Sequence, residues 1–305
     1  MRKIGTDESS CRRTDVKAGS TIKWMKGLQM KKTQIKWKAG LVVAAMLVVA
    51  LPATSLAPAL AAQKNPYKLV TPGKLIVGMT LQFKPQMYLD ENNIPAGYDV
   101  DLVQQLARNL KLELVIKNMD FAGLIPGLVS KQFDLVSVGL TNTPVRAQSI
   151  TFTREYMPYA TVLVAKVGST VGATFEAWNV AGKKLTALQG STAAGLVKTT
   201  FPNATLVEFP DQSAAFLEVA SGRADGIVVE ANLAGAYQKS NPGQLENVAL
   251  PRLIKVGYGS WAVQLGNKSL QRRLNIWLCS QQKNGTLAKL HLKNMGYKLP
   301  SLPAC

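Results

Sequence analysis

The sequence predicts an α/β protein of two lobes, in which each lobe is a mainly parallel sheet flanked by helices and two chain segments form a hinge. Its 305 residues suffice for about two domains, at roughly 150 residues each. Strand-like and helix-like patterns alternate over residues 74–138, and the alternation restarts after residue 161. Alternating elements of this kind build parallel strands covered by helices. The composition, 47% hydrophobic and 18% charged, is that of an ordinary globular protein.

The first lobe begins with a short apolar run at residues 74–80, which has the composition of a strand. Turn residues at 90–95 separate two short extended segments. Over residues 99–110 apolar side chains recur at the spacing of one helix face, with Asp99 placed as the N-cap. Three further elements follow: a strand at 112–117, a helix around 124–130 and a strand at 134–138.

The second lobe repeats the alternation. We expect strands at residues 161–166, 185–188, 205–209 and 226–229. We expect helices near residues 193–200, 211–221 and 231–239. Together these elements form a second α/β unit.

The carboxyl-terminal elements return, in the simplest packing, to the first lobe. A strand is expected at residues 258–264, and helical patterns follow at 270–282 and 286–295. Segments 161–166 and 258–264 then connect the lobes as a hinge. This packing divides the chain as follows: residues 62–162 and 260–305 in lobe 1, and residues 163–259 in lobe 2.

The amino-terminal segment has the pattern of a secretory signal peptide. Four lysines between residues 31 and 38 precede an apolar run at 41–51, and small residues follow near Ala61. The run is shorter than the roughly 18 apolar residues that a membrane span needs. We therefore expect residues 1–61 to comprise a cleavable signal peptide with an upstream extension. Translation is expected to start at Met25 or Met30, and the mature protein to be periplasmic.

The charge gives little support to a nucleic-acid partner. The formal net charge is +18, but residues 1–61 hold 11 Lys/Arg against 3 Asp/Glu, which leaves +10 for the remainder. The remaining basic residues are scattered, without a dense Lys/Arg run interleaved with aromatic residues. No nucleic-acid binding is expected.

The few cysteines and the single histidine limit the redox and metal chemistry that this chain can support. Cys11 lies in the segment expected to be removed, so Cys279 and Cys305 remain. In an oxidising compartment these two form either a disulfide or two free thiols, and the sequence leaves both open. One histidine and no Cys/His cluster disfavour a zinc site, and no cofactor is expected. His291 is expected on the surface of the last helix.

Five short motifs occur in order: residues 97–102 (GYDVDL), 123–128 (GLIPGL), 139–146 (GLTNTPVR), 190–192 (GST) and 222–225 (GRAD). They resemble the landmarks of the family 3 bacterial extracellular solute-binding proteins, which bind polar amino acids. The resemblance covers about residues 68–297 and implies the two-lobed periplasmic-binding-protein fold. It also implies a monomer that delivers a free amino acid to the permease of an ABC importer in the inner membrane.

A free amino acid is a zwitterion, so a site that removes it from water needs a cation and an anion. Arg146 matches the family's carboxylate-binding arginine. Glu230 follows the 226–229 strand and stands where the family usually has an aspartate, one methylene shorter, for the ammonium group. The alternatives are an arginine solvated at a helix start and an acid stabilised by the helix dipole.

Two loops supply further expected contacts. Thr141 and Gly139 occupy positions that the resemblance assigns to the ligand's charged ends, although many members carry serine where Val138 and Gly139 stand. Ser191 and Thr192 lie between a strand and a helix, where exposed N–H groups suit an anion. Ser191 is alternatively, or in addition, a simple N-cap.

Phe83 and Phe121 match positions where the family places rings around the ligand's side chain. A plain core role is the alternative for both. Gln82, Gln86 and Gln189 lie near the same strand ends and are further candidates for contact with the ligand side chain.

Two other functional classes share this scaffold. The resemblance extends to periplasmic cyclohexadienyl dehydratases, but such an enzyme needs a general acid or base aimed at its substrate. His291 lies far along the last helix, and Glu230 is already assigned to charge pairing. A sensory receptor module would need a membrane span after the binding unit, and none follows in the sequence. We therefore expect a binding protein and not an enzyme.

Overall fold

The structure is a computed structural model, and it describes residues 65–305. The predicted signal peptide and the predicted start at Met25 or Met30 lie outside the described residues. Over residues 65–305, no helix has both the length and the apolar character that crossing a membrane requires.

Strands and helices alternate along the described chain. The strands are β1 (Lys74–Met79), β2 (Gln82–Phe83), β3 (Met87–Leu89), β4 (Pro95–Ala96), β5 (Glu113–Asn118), β6 (Leu135–Thr141), β7 (Ile150–Lys166), β8 (Lys184–Leu188), β9 (Thr205–Phe209), β10 (Gly226–Glu230), β11 (Leu245–Asn247) and β12 (Lys255–Gln264). The α-helices are α1 (Tyr98–Leu110), α2 (Leu124–Val129), α3 (Pro144–Ala147), α4 (Phe175–Trp178), α5 (Thr192–Thr200), α6 (Gln212–Ala220), α7 (Ala231–Ser240), α8 (Lys268–Lys283) and α9 (Thr286–Met295). A 3-10 turn at Phe121–Gly123 precedes α2.

One large sheet joins most of these strands, in the order β5, β1, β6, β12, β7, β10, β8, β9, with β11 paired to β7. Strands β5, β1 and β6 are parallel, and we call them the first half-sheet. Strands β10, β8 and β9 are also parallel, and we call them the second half-sheet. Between them, β12 and β7 run antiparallel to each other and to their outer neighbours. Two chain segments therefore connect two parallel half-sheets.

Strand β1 illustrates why the half-sheets are buried. Five of its six residues are buried, which suits the near-continuous apolar run of a strand covered on both faces. Gly78 lies against the ring of Phe133, and a Cβ at this glycine would lie 2.7 Å from the ring. The close approach of Phe133 to the backbone therefore requires glycine here.

Strand β7 is longer than the sequence predicts. The expected strand covers residues 161–166, whereas β7 begins at Ile150 and pairs with β12 as far as Thr161. Pro158 and Glu155 obscure the strand in the sequence, because proline and charged residues interrupt the apolar pattern. The ladder accommodates this segment with two register shifts in β12, between Gly259 and Ser260 and between Ser260 and Ala262.

Helix α1 corrects the expected role of Asp99. The N-cap is Gly97, whose φ of 114° favours glycine, and the prediction of Asp99 as N-cap is wrong because the helix begins earlier, at Tyr98. Asp99 is fully buried instead. Its carboxylate accepts hydrogen bonds from four side chains: Gln86 Nε2 (2.6 Å), Ser137 Oγ (2.7 Å), Tyr156 Oη and Trp261 Nε1 (3.5 Å). Burial raises the pKa of Asp99, and these four donors oppose the rise.

The carboxyl-terminal helices pack beside the first half-sheet, α8 on β7 and α9 on α1. Cys279 of α8 and Cys305 form a disulfide with a Cα–Cα distance of 5.6 Å, so the disulfide alternative is confirmed. The guanidinium of Arg154 in β7 donates to Gln282 Oε1 (2.7 Å) and to the carbonyl oxygen of Pro303 (2.9 Å). The tail is therefore tied to both α8 and β7.

The expectation that His291 lies on the surface is wrong. The residue is fully buried on the inner face of α9. Its ring meets the rings of Tyr98 and Tyr297 edge to face, with centroids 5.4 Å and 4.8 Å away. Nδ1 lies 3.0 Å from the carbonyl oxygen of Tyr297, and burial lowers the pKa of His291. The imidazole serves as a core side chain of α9.

Candidate ligand-binding cleft

Strands from both half-sheets end at one cleft. β6 ends at Thr141, β8 at Leu188 and β10 at Glu230, and the carboxyl edge of parallel strands is where open α/β sheets bind ligands. The cleft is lined by Phe83, Gln86, Phe121, Val138, Thr141, Arg146, Met157, Tyr159, Leu188, Ser191, Thr192, Glu230, Asn232 and Leu233. All the predicted ligand-binding residues except Gly139 are in this set.

Arg146 lies on the short helix α3, where the Thr143 hydroxyl accepts the Arg146 backbone N–H (3.3 Å) as an N-cap. Its guanidinium reaches both sides of the cleft. Nη1 donates to the carbonyl oxygen of Thr141 (3.1 Å), and Nη2 donates to that of Gly190 (3.0 Å). The Cζ atom lies 5.8 Å from the ring centroid of Phe121. Arg146 is thus held in the cleft by neutral oxygens and an aromatic ring.

Glu230 is the last residue of β10 and the N-cap position of α7, yet its side chain makes no capping hydrogen bond. Burial raises the pKa of Glu230, while its own backbone N–H and the charge of Arg146 oppose the rise. Burial also lowers the pKa of Arg146, against the charges of Tyr159 and Glu230. The cleft therefore brings together one carboxyl and one guanidinium that each lose solvation there.

Hydroxyl groups meet across the cleft. Thr141 Oγ1 lies 2.7 Å from Tyr159 Oη and 3.4 Å from Thr192 Oγ1. Ser191 is the N-cap of α5, and its Oγ accepts the backbone N–H of Ala194 (3.1 Å). Since Ser191 both caps the helix and lines the cleft, the capping alternative holds and its hydroxyl hydrogen remains a potential donor.

The rings of Phe83 and Phe121, both predicted to contact the ligand, form one wall of the cleft. Phe83 and Phe121 have centroids 6.2 Å apart and an interplanar angle of 42°. Phe83 is buried and Phe121 is partly buried, and both also pack against the core. The cleft and the core therefore share these side chains.

Gly139 is placed behind the cleft. Its φ is +64°, and a Cβ at this position would lie 2.9 Å from Gln86 Nε2. Its backbone N–H donates to Tyr156 Oη (2.8 Å). Gly139 thus supports the buried network around Asp99, and a direct contact with a ligand remains only a prediction.

The three candidate glutamines have different places. Gln86 lines the cleft. Gln82 lies outside the lining and its Oε1 accepts the backbone N–H of Gln212 at the start of α6 (2.7 Å). Gln189 continues the β8–β9 ladder, where its backbone N–H donates to the carbonyl oxygen of Phe209 (2.8 Å).

Sequence reasoning missed five lining residues. These are Met157, Tyr159, Leu188, Asn232 and Leu233. Met157 and Tyr159 lie in the unpredicted part of β7, on either side of Pro158. Leu188, Asn232 and Leu233 lie at or next to predicted strand ends. Their closeness in sequence to Ser191 or Glu230 is the signal that could have identified them as lining residues.

No metal centre is indicated in the part of the chain that the structure describes. Within residues 65–305, no group of three or more His, Cys, Asp or Glu side chains could hold a metal ion.

Comparison with known proteins identifies the family. The model of the bacterial extracellular solute-binding proteins, family 3, matches residues 75–297. The chain belongs to this family. The resemblance carried by the five sequence motifs is thereby confirmed, and the matched segment of this family 3 protein contains every residue that lines the cleft.

Several relatives of this family 3 protein are named for arginine. The chain is 29% identical to the ABC transporter arginine-binding protein 1 of Escherichia coli strain K12, over 71% of this chain and 88% of the relative. It is 31% identical to the arginine-binding extracellular protein ArtP of Bacillus subtilis strain 168, over 72% of this chain and 85% of the relative.

Solved structures confirm the predicted fold class, that of two-lobed periplasmic amino-acid-binding proteins. An ancestral arginine-binding protein bound to glutamine has a TM-score of 0.69 and 32% identity, covering 74% of this chain and 100% of that chain. The ancestral amino acid-binding protein AncCDT-1, a precursor of cyclohexadienyl dehydratase, has a TM-score of 0.68 and 30% identity, covering 73% of this chain and 96% of that chain.

Proposed function

We propose that this chain is exported to the periplasm by a cleavable signal peptide, binds one free amino acid in the cleft and delivers it to an ABC importer. The names of the relatives support the transport role, since they are binding proteins for arginine and other amino acids. The observation that carries the proposal is the presence of Arg146 and Glu230 in the lining of one cleft. These two groups supply the opposite charges that a buried zwitterion requires.

Closure of two lobes is the proposed signal to the permease. We propose that lobe 1 comprises residues 62–162 and 260–305, and lobe 2 residues 163–259. Arg146 then belongs to lobe 1 and Glu230 to lobe 2, so a ligand that contacts both stabilises the closed form by its differential affinity. The protein acts as a monomer in this proposal, which light scattering of the purified protein would test.

The direct test is a thermal-shift screen of the purified, exported protein against the common amino acids. A ligand that binds the folded state raises the melting temperature by mass action. A flat result with every amino acid would overturn the proposal.

Arg146→Ala is the matching test of the site. Removing the guanidinium leaves the ligand carboxylate without its cation, and we expect a loss of about 2–5 kcal/mol of binding free energy. Titration calorimetry of the wild-type and variant proteins measures the loss, and circular dichroism establishes that the variant is folded. Full affinity in the folded variant would contradict the assignment of Arg146.

A dehydratase-like activity is the second candidate. The position of Glu230 in the cleft favours it, because a carboxyl group aimed at a bound substrate can act as a general acid or base. Incubation of the protein with prephenate or arogenate separates the two functions. Turnover that disappears in Glu230→Gln would support the enzyme, and the absence of turnover together with amino-acid binding would support the transport role.

A further inference from the structure

Within residues 65–305, the cleft lining carries one positive and one negative side chain, which match the two charges of an amino-acid zwitterion. Of the described residues that line the cleft, Arg146 is the one cation and Glu230 the one anion. A free amino acid brings one carboxylate and one ammonium group, which occupy both. We propose that the cleft selects amino acids with an uncharged side chain, an inference that rests on the function proposed above.

The acids around the cleft do not alter this balance. Asp99 lies behind Gln86, is fully buried and already accepts hydrogen bonds from four side chains. Glu208 is exposed, and its Oε1 accepts the backbone N–H of Gly190 at 3.4 Å. Neither carboxylate is among the groups that line the cleft.

The remaining walls are apolar or neutral. Six apolar or thioether side chains line the cleft, namely Phe83, Phe121, Val138, Met157, Leu188 and Leu233. The amides of Gln86 and Asn232 add neutral hydrogen-bonding groups. Gln86 Nε2 donates to Asp99 (2.6 Å), and its Oε1 remains available as an acceptor. A guanidinium or ammonium on the ligand side chain would be desolvated here without a counter-charge, which is costly. A carboxamide or hydroxyl side chain finds matching partners.

The first experiment is a calorimetric titration of the wild-type protein with glutamine, asparagine, serine, leucine, arginine, lysine and glutamate. We expect the tightest neutral amino acid to bind at least tenfold more tightly than any of the three charged ones. Binding of arginine, lysine or glutamate within tenfold of the tightest neutral amino acid would overturn the inference while leaving the proposed function intact. A lack of binding by all the common amino acids would instead overturn the proposed function itself.

Asn232→Asp supplies the matched variant. It adds a carboxylate to the wall of the cleft in the first turn of α7, where the helix dipole favours an acid. We expect the affinity for arginine or lysine, relative to the best neutral amino acid, to rise at least tenfold. Asn92→Asp makes the same charge change in the exposed turn between β3 and β4 and should leave this ratio unchanged. A folded Asn232→Asp protein with the wild-type ratio would contradict the proposal.

Discussion

Arg146 links recognition of charge to the shape of the cleft. Its guanidinium is bonded to carbonyl oxygens of Thr141 on one side and Gly190 on the other. A carboxylate is a stronger acceptor for a guanidinium than a carbonyl group, because the hydrogen bonds are charge-assisted and can be bidentate. In the proposed function, a ligand carboxylate therefore competes directly with the contacts that hold Arg146 between the two loops.

Glu230 should make stability depend on pH. Because burial raises its pKa above the ordinary 4.5, the folded state holds this proton more tightly than the unfolded chain does. The stabilising contribution of the protonated carboxyl is present below pH 4.5 and is lost as the pH rises through the folded pKa. Glu230→Gln should therefore gain stability relative to wild type between pH 4 and pH 7 in ligand-free protein.

Urea denaturation of both proteins at pH 4 and pH 7 measures this difference. The comparison between variant and wild type cancels the titration of other carboxyl groups, such as Asp134, whose pKa is also raised by burial. A stability difference that is the same at both pH values would show that Glu230 does not titrate abnormally.

The placement of single side chains could be predicted where a strand end fixed it or where a family motif carried it. Glu230 directly follows an expected strand, so the strand-end rule places it at the carboxyl edge of its half-sheet. Thr141 is placed by the family resemblance instead, because the expected strand ends at residue 138, whereas β6 continues to Thr141. Tyr159 could not be placed, because Pro158 masks the strand that carries it. Gly139 also could not be resolved, since whether a backbone group faces a ligand or a buried tyrosine depends on packing between distant elements.

At the scale of elements, helix α1 is hydrogen-bonded to the neighbouring strands through Asp99. The four donors to its carboxylate come from the β2–β3 segment, β6, β7 and β12. One of them, Gln86, lines the cleft. The buried network therefore connects the position of a helix with the position of a cleft side chain.

Asp99→Ala should be costly, because it leaves buried donors without an acceptor. Unsatisfied buried groups cost about 1–3 kcal/mol each, so we expect the free energy of unfolding to fall by about 3 kcal/mol or more. Chemical denaturation measures the fall. Asp101→Ala is the control on the same helix: its Oδ2 accepts from Lys293 Nζ (2.8 Å) and Asn294 Nδ2 (2.9 Å). Lys293 is mostly exposed and neither donor is fully buried, so the loss should stay at about 1 kcal/mol. Similar losses in both variants would argue against a special role for the Asp99 network.

Hydrophobic periodicity predicted where most helices and strands lie in the sequence. It did not always predict which residues of a helix face the core. The sequence pattern located α9 correctly and still put His291 on its outer face. An aromatic cage from Tyr98 and Tyr297 buries the ring, and tertiary contacts of this kind have no local sequence signal. Asp99 is the same case, since an acid near a helix start has the pattern of an N-cap until its partners in other strands are known.

At the scale of the whole molecule, direct hydrogen bonds join the two sides of the cleft. Besides the Arg146 contact with Gly190, the side chain of Gln82 in β2 accepts the backbone N–H of Gln212 in α6 (2.7 Å). Thr141 and Thr192 approach to 3.4 Å. These contacts stabilise the arrangement in which the two sides of the cleft lie close together.

Gln82→Ala tests the contribution of this contact to ligand retention. Loss of one hydrogen bond of about 1 kcal/mol should weaken the apparent affinity by about fivefold. The change should lie mainly in the dissociation rate, which stopped-flow fluorescence measures. Gln238→Ala is the control, because Gln238 Nε2 bonds Asn247 Oδ1 (3.1 Å) away from the cleft. Equal dissociation rates in wild type and Gln82→Ala would show that this contact does not hold the cleft closed.

The antiparallel pair β7 and β12 has a consequence for how the protein unfolds. β12 is hydrogen-bonded to β6 of the first half-sheet, and the 17-residue strand β7 is hydrogen-bonded both to β12 and to β10 of the second half-sheet. Melting either half-sheet alone would leave one member of the β7–β12 pair without its outer neighbour. The two halves should therefore unfold in one cooperative transition, in which the calorimetric and van't Hoff enthalpies agree.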